Sequence, residues 1–436
     1  MLSGLDGGGL LLPAVLTALT VALWATARLP EYLVALLFFA AAMVLRVAPV
    51  EIVFSGFLSS AFWLVLSGFV LGVAIRKVGL ADRVARLLAA RLSGSWPRLV
   101  GGVVMLTYAL AFVMPSNMGR ITLLMPIVVA LGDQVGVGDD RRGRTGLALA
   151  VGFGTFQLSA SILTANVPNL VMAGAAETAY GVHLSYLSYL ALHAPVLGLL
   201  KGVALTACIC LLFPGRPRAM ASIETAAPLS AAEWRLGLLL LATLALWVTE
   251  AWHGIAPAWV GLAAACFCLL PRVGFLSGEE FATGVNIRTC LYVAGILGLA
   301  AVVARSGLGG LLGHALLAVA PLKPGASFQD FATLVGITTL LNFVVTANGV
   351  PALFTPLAGT LADVSDLPLP AVLMAQVIGY ATPILPYQAS PIVVAMGMGA
   401  VPARDGILLS VALAAITFLV LMPLDWAWFR LLGWSG

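Results

Sequence analysis

Charge is what this chain has least of: 22 Lys and Arg and 18 Asp and Glu make up 9% of its 436 residues. A soluble domain carries about 25% charged residues, so a soluble globular protein is excluded. With 61% hydrophobic residues and a mean hydropathy of +1.07, the chain reads as an all-α polytopic membrane protein embedded in a lipid bilayer. The net charge of +4 is small and spread along the sequence, so it gives no sign of a nucleic-acid partner, and none is expected. Cysteine is also sparse. All five, Cys208, Cys210, Cys266, Cys268 and Cys290, lie within apolar runs and read as buried spectators. His183, His193, His253 and His314 do not pair at metal-ligand spacing. No H-E-x-x-H or G-x-S-x-G arrangement and no intramembrane acid pair occurs, which argues against an enzyme. No basic stretch precedes the first apolar run, so no cleavable signal peptide is expected.

Apolar segments of spanning length are present at 10–27, 31–49, 55–75, 145–163, 186–213, 234–252, 256–271, 287–304, 370–400 (interrupted) and 406–423. Two further pairs of apolar arms are too short. Leu99–Met114 and Ile121–Leu131 reach only ~24 and ~18 Å, against a bilayer core of about 30 Å. Their joint, Pro115-Ser116-Asn117-Met118-Gly119-Arg120, is polar. The pair reads as a re-entrant hairpin over 99–131, or else as two kinked spanning helices with a surface loop. A second such pair runs from Phe328 to Ala362, with Thr346-Ala347-Asn348-Gly349-Val350-Pro351 as its tip. This gives about ten transmembrane helices plus two hairpins.

The basic residues Arg76, Lys77, Arg83, Arg86, Arg91 and Arg98 face one acid, Asp82, after the third segment, and Arg141, Arg142 and Arg144 follow the first hairpin. By the positive-inside rule that hairpin enters from the cytoplasm, with Arg216, Arg218, Arg272 and Arg404 also inside and both termini outside. The flanks of the second hairpin, with Arg305, Lys323, Asp363 and Asp366, have no basic excess. An internal repeat supports the same threading. Arg76-Lys77-Val78-Gly79-Leu80 resembles Ala304-Arg305-Ser306-Gly307-Leu308, and Pro126 and Pro356 take matching places in the descending arms. Five crossings per half force the copies into opposite orientations. The expectation is two inverted repeats: 1–213, with broken helix 145–178, and 233–436, with hairpin 328–362 and broken helix 370–400, joined by a loop at 214–232.

After each hairpin the next crossing is interrupted by polar residues and proline, at Ser159–Asn169 and Tyr380–Pro391. A break frees carbonyls that coordinate a small cation and amides that favour an anion. Two tips and two breaks would thus wall one central site. A channel of the same build would not concentrate its solute against a gradient, as a secondary transporter does.

At these residues the chain resembles the divalent anion/sodium symporter family, which carries dicarboxylates, citrate and sulfate. Ser116-Asn117, with Pro126 nine residues beyond the Asn, is similar to that family's first tip signature. Ala165-Asn166-Val167-Pro168-Asn169 and Ala389-Ser390-Pro391 look like its two breaks. The resemblance implies an elevator-type secondary active symporter of small divalent anions, working as a homodimer in the bacterial inner membrane with Na+ as coupling ion. Ser116, Asn117 and the carbonyl of Ala165 would hold one sodium, and Thr346, Ala347, Asn348 and the carbonyl of Ala389 the other. Substrate would meet Asn117, Met118, Gly119, Arg120, Asn166, Pro168, Asn348, Gly349, Ser390 and Pro391. The chain departs from the family in three ways. Met118 replaces the signature's Thr, the register of the second tip is ambiguous by one residue, and the family's extra N-terminal helix is not expected. A sodium-independent, proton-coupled or exchange-type transporter is the alternative.

Arg120 has no counterpart in the second tip. A charge at bilayer depth is costly unless paired. It would contact the anion directly, stand in for the first sodium, or snorkel to the cytoplasmic vestibule. Glu51, Asp133, Glu177, Glu250 and Asp425 are expected near helix ends at the interface.

Overall fold

The computed structural model describes residues 7–26, 28–80, 83, 94–137, 140–217, 228–319, 322–323, 325, 327–365 and 367–434. Asp82, Arg86, Arg91, Arg218, Asp366 and most of the 214–232 connector lie outside the described residues. Among those described there is no strand. In chain order the helices are α1 (Gly7–Thr26), α2 (Glu31–Val44), α3 (Ser60–Val78), α4 (Trp96–Ala111), α5 (Asn117–Gln134), α6 (Arg141–Phe153), α7 (Val167–Tyr180), α8 (Tyr186–Leu212), α9 (Ala231–Val248) and α10 (Pro257–Leu269). They continue as α11 (Ile287–Arg305), α12 (Leu308–Val319), α13 (Ser327–Phe354), α14 (Ala358–Ser365), α15 (Leu369–Tyr380), α16 (Ser390–Met398) and α17 (Ala403–Leu431). Six described helical stretches are long and apolar enough to cross a membrane: α3, α8, α9, α11, α13 with α14, and α17.

The core sits where sequence polarity is lowest on every side. From Tyr292 to Val303 every residue of α11 is buried, as is every residue of α15 from Ala371 to Tyr380. A helix apolar all round must be surrounded by other helices. α11 lies against α2, and α15 lies along α13. The sequence likeness after α3 and α11 extends to the backbone. Gly79 and Gly307 close these helices with φ of +80° and +79°, a left-handed turn that disfavours any side chain.

Both tips differ from expectation. The first is shorter than Pro115–Arg120, because α5 already begins at Asn117. The Ser116 hydroxyl accepts the Gly119 amide at 3.0 Å, capping the helix and drawing the polar residues into its first turn. The second is a bend inside a continuous helical run. Thr346 alone leaves helical geometry, at φ 59° and ψ 168°, and Ala347–Phe354 resumes the helix. The breaks fall where proline and polar residues place them. α6 widens through π-type turns over Gly154–Leu158, passes Leu163–Ala165 as a single 3-10 turn, and restarts as α7 with Pro168 in its first turn. α15 stops at Tyr380, and α16 restarts at Ser390.

One charged residue is misplaced by sequence reasoning. Asp425, expected near a helix end, is wholly buried within the last helix. The last helix does not end at 423 but continues through wide turns at Thr417–Leu421 as far as Leu431, which carries Asp425 onto an inward face.

Candidate functional site

The two tips and the two breaks meet around one cavity of about 260 Å³. Ser116, Asn117 and Met118 line it from the first tip, Asn348 from the second, Val167 and Leu170 from α7, and Ser390 and Pro391 from α16. Four helix starts therefore face it: α5 at Asn117, α7 at Val167, the resumed helix after Thr346, and α16 at Ser390. A helix start presents amides without intrahelical acceptors and roughly half a positive charge; at α5 the Ser116 hydroxyl takes up the Gly119 amide. No side-chain oxygen caps α7 or α16. The far wall is Val65, Gly68 and Phe69 of α3 with Asn286, Thr289 and Tyr292 at the start of α11. The single charged side chain on the lining is an acid, Glu31. The lining thus offers helix starts and hydrogen-bonding side chains but no basic side chain.

Arg120 sits behind that surface, wholly buried. Its guanidinium donates to the carbonyl of Met114 and to Asn117 Oδ1, and reaches the carbonyls of Thr155 at 3.2 Å and Ala165 at 3.3 Å. It therefore bridges the first tip to both sides of the first break. The Asn117 amide is bonded at both its oxygen and its nitrogen. Its Oδ1 also accepts from Ser159 Oγ at 3.2 Å, and its Nδ2 donates to Asn166 Oδ1 at 3.0 Å. Gly119 is closely surrounded here: a Cβ would stand 2.8 Å from Met114 Cε, 3.0 Å from an Arg76 nitrogen and 3.2 Å from Ser116 Oγ.

Of the residues singled out from sequence, Ser116, Asn117, Met118, Asn348, Ser390 and Pro391 line the cavity, while Gly119, Arg120, Asn166, Pro168 and Gly349 do not. Asn166 is wholly buried, one layer back, holding Asn117. The carbonyl of Ala165 and Oδ1 of Asn117, two groups expected around a first sodium, are both bonded by Arg120. Thr346 is half-buried, and Ala347 and Ala389 are buried. Glu31, Asn286, Thr289 and Tyr292 were missed. They carry no local motif, and they reach the cavity from parts of the chain remote from both tips.

A family description, "Sodium:sulfate symporter transmembrane region", matches residues 3–435. The chain is 27% identical over 390 residues to the L-tartrate/succinate antiporter of Escherichia coli K12, covering 84% of this chain and 78% of that protein. It is 24% identical over 400 residues to the inner membrane protein YbhI of the same strain, covering 88% and 83%. A "Membrane protein" of Cupriavidus necator is 23% identical over 395 residues, covering 87% and 76%. Among solved structures the Alcanivorax borkumensis YdaH transporter shares the fold, with a TM-score of 0.55 at 16% identity over 88% of each chain. A match across nearly every residue places the chain in a transporter family and not among enzymes, as a multi-pass membrane protein handling small anions. The chain belongs to the sodium:sulfate symporter transmembrane-region family.

Proposed function

We propose that this protein is a secondary transporter of small divalent anions, dicarboxylates among them, that works by alternating access without sodium at its first tip. The observation that carries the reading is the convergence of four helix starts on a cavity with no basic side chain. Such a site stabilises two carboxylates spread along a small molecule and releases them again, because partial charges bind less tenaciously than a full ion pair. The tartrate and succinate in the name of one relative point to the same substrate class.

The two halves, α1–α8 and α9–α17, are read as inverted repeats, each carrying one re-entrant hairpin and one broken helix. The hairpins and broken helices form a unit that slides against α2, α3 and α11 in an elevator motion, within a homodimer in a bacterial inner membrane. Arg120 favours sodium-independent exchange or proton coupling over the two-sodium symport of the family resembled. Its guanidinium already supplies a positive charge on the Ala165 carbonyl. A sodium site, if retained, falls at Thr346, Ala347, Asn348 and the Ala389 carbonyl, where no basic side chain is bonded.

Counterflow in liposomes tests this. Labelled succinate should exchange against succinate, tartrate or malate with choline in place of sodium. Absence of exchange with every dicarboxylate, citrate and sulfate overturns the transport assignment. Exchange that stops without sodium overturns only the sodium-independent part.

A further inference from the structure

Behind the second break lies a buried polar cluster that the anion cavity does not use. Lys201 of α8, wholly buried, donates to the Ala381 carbonyl at 3.0 Å and to the Thr382 hydroxyl at 2.9 Å. Asp425 of α17 is also wholly buried, within electrostatic range of Lys201 and Tyr189 but forming no ion pair with Lys201. Neither oxygen of Asp425 has a hydrogen-bond partner among the described residues. Nor does either ring nitrogen of the buried His193, whose ring lies 4.6 Å from that of Tyr189 and 6.0 Å from that of Phe429. On the α15 side stands Tyr380, whose hydroxyl donates to Asn169 Oδ1 at 2.8 Å. On the α13 side Phe331 packs on Phe429 at 5.2 Å, and the neighbouring Asp330 accepts the Lys323 amide. Asn169 in turn donates to the carbonyls of Ala160 and Ile162, and Tyr189 donates to Ala160. One polar chain thus joins the two breaks.

A carboxylate without a hydrogen-bond donor is expensive in a low-dielectric interior, and taking up a proton removes most of that cost. We propose that Asp425 is a proton-binding site, with Lys201 as its movable counter-charge, and that it couples anion movement to a proton. With Asp425 protonated, the Lys201 ammonium stays on the carbonyl end of α15. Loss of the proton draws the ammonium toward the carboxylate and uncovers that end. The break next to the anion-facing start of α16 then carries a different charge. One proton is bound from one face and released to the other; nothing else is consumed. The inference rests on the transport reading of the cavity.

Its test uses the full chain in liposomes with labelled succinate, comparing counterflow at equal pH with uptake driven by an external solution one unit more acidic. Such a gradient is worth at most about tenfold accumulation per coupled proton. The wild type should approach that figure. Asp425→Asn should keep counterflow while its gradient-driven accumulation falls to about onefold, and Asp425→Glu should recover part of it. Succinate protonates identically in every arm, so the difference reports on Asp425. Counterflow by the wild type with no response to the gradient overturns the proton site without needing any variant, as does an Asp425→Asn protein that still accumulates succinate. No counterflow of any anion by the wild type defeats the transport reading instead.

Discussion

The first and second breaks both have a base at the carbonyl end of their leading helix, and the two bases are held in opposite ways. Arg120 spends its guanidinium on three carbonyls and an amide oxygen contributed by the tip and by both edges of its own break. Lys201 comes from a different helix and bonds one edge of its break, in electrostatic range of an acid with no hydrogen-bond partner among the described residues. A planar fork with five donors suits permanent cross-linking, whereas a single ammonium on a flexible stem suits movement. One half of the molecule is therefore built around a fixed charge and the other around an exchangeable one.

Arg120→Ala should break this comparison most severely. It leaves the Ala165, Thr155 and Met114 carbonyls and Asn117 Oδ1 without their shared donor, and counterflow should fall roughly 100-fold or more. Arg120→Lys keeps the charge but loses the fork, and should fall between. The matching change in the second half, Lys201→Met with Asp425→Asn, removes both charges together and should leave counterflow largely intact. Equal losses in both halves, at matched amounts of monodisperse protein, would show that the two bases do the same job.

Next in size is Asn117→Ala, which severs Arg120 from Ser159 and Asn166 at once. Hydrogen bonds to charged groups contribute about 1.5–3 kcal/mol, so a loss of transport on the order of tenfold is expected. The equivalent change in the second tip, Asn348→Ala, removes a cavity-facing amide that has no side-chain hydrogen bond among the described residues. It should raise the half-saturating succinate concentration without lowering the maximal rate. The two Asn→Ala kinetic profiles, measured side by side, separate a scaffold residue from a contact residue.

The contrast also shows what was legible in the sequence. Ser116-Asn117 and Ala389-Ser390-Pro391 were readable because a capping residue or proline at a helix start is a local matter, settled within one turn. The destination of Arg120 was not. Its partners are mostly backbone carbonyls, and a carbonyl has no sequence signature. Asp425 was misjudged because Pro423 and the acid look like a helix end, while the wide turns at Thr417–Leu421 that keep the helix going have no marker. Glu31, Asn286, Thr289 and Tyr292 reach the cavity from helices remote in sequence. The second tip was read as Thr346–Pro351, yet only Thr346 leaves helical geometry, a residue that does not favour a positive φ.

Gly119→Ala sharpens the first half further. The added carbon would stand 2.8 Å from Met114 Cε and 3.2 Å from Ser116 Oγ, so the flexible methionine gives way while the serine cap is strained. Loss of such a cap costs about 1 kcal/mol, which corresponds to a several-fold weaker response to succinate. No comparable effect is expected from Gly336→Ala in α13, where open space surrounds the glycine.

The smallest effect belongs to the second tip and has the opposite sign. Thr346 holds φ at 59° beside cavity-lining Asn348, a strain of about 1 kcal/mol for a residue with a β-branch. Thr346→Gly relieves that strain in the folded state but adds freedom to the unfolded chain, so the net gain should stay below about 1 kcal/mol. Thermal unfolding in detergent should therefore show a midpoint unchanged or slightly raised. The decisive reading is sodium. If the Thr346 hydroxyl helps to hold a cation at this tip, any sodium stimulation of the wild type disappears in the glycine variant while counterflow in choline stays the same. If both proteins are equally indifferent to sodium, the bend serves only to aim Asn348, and neither tip retains a metal.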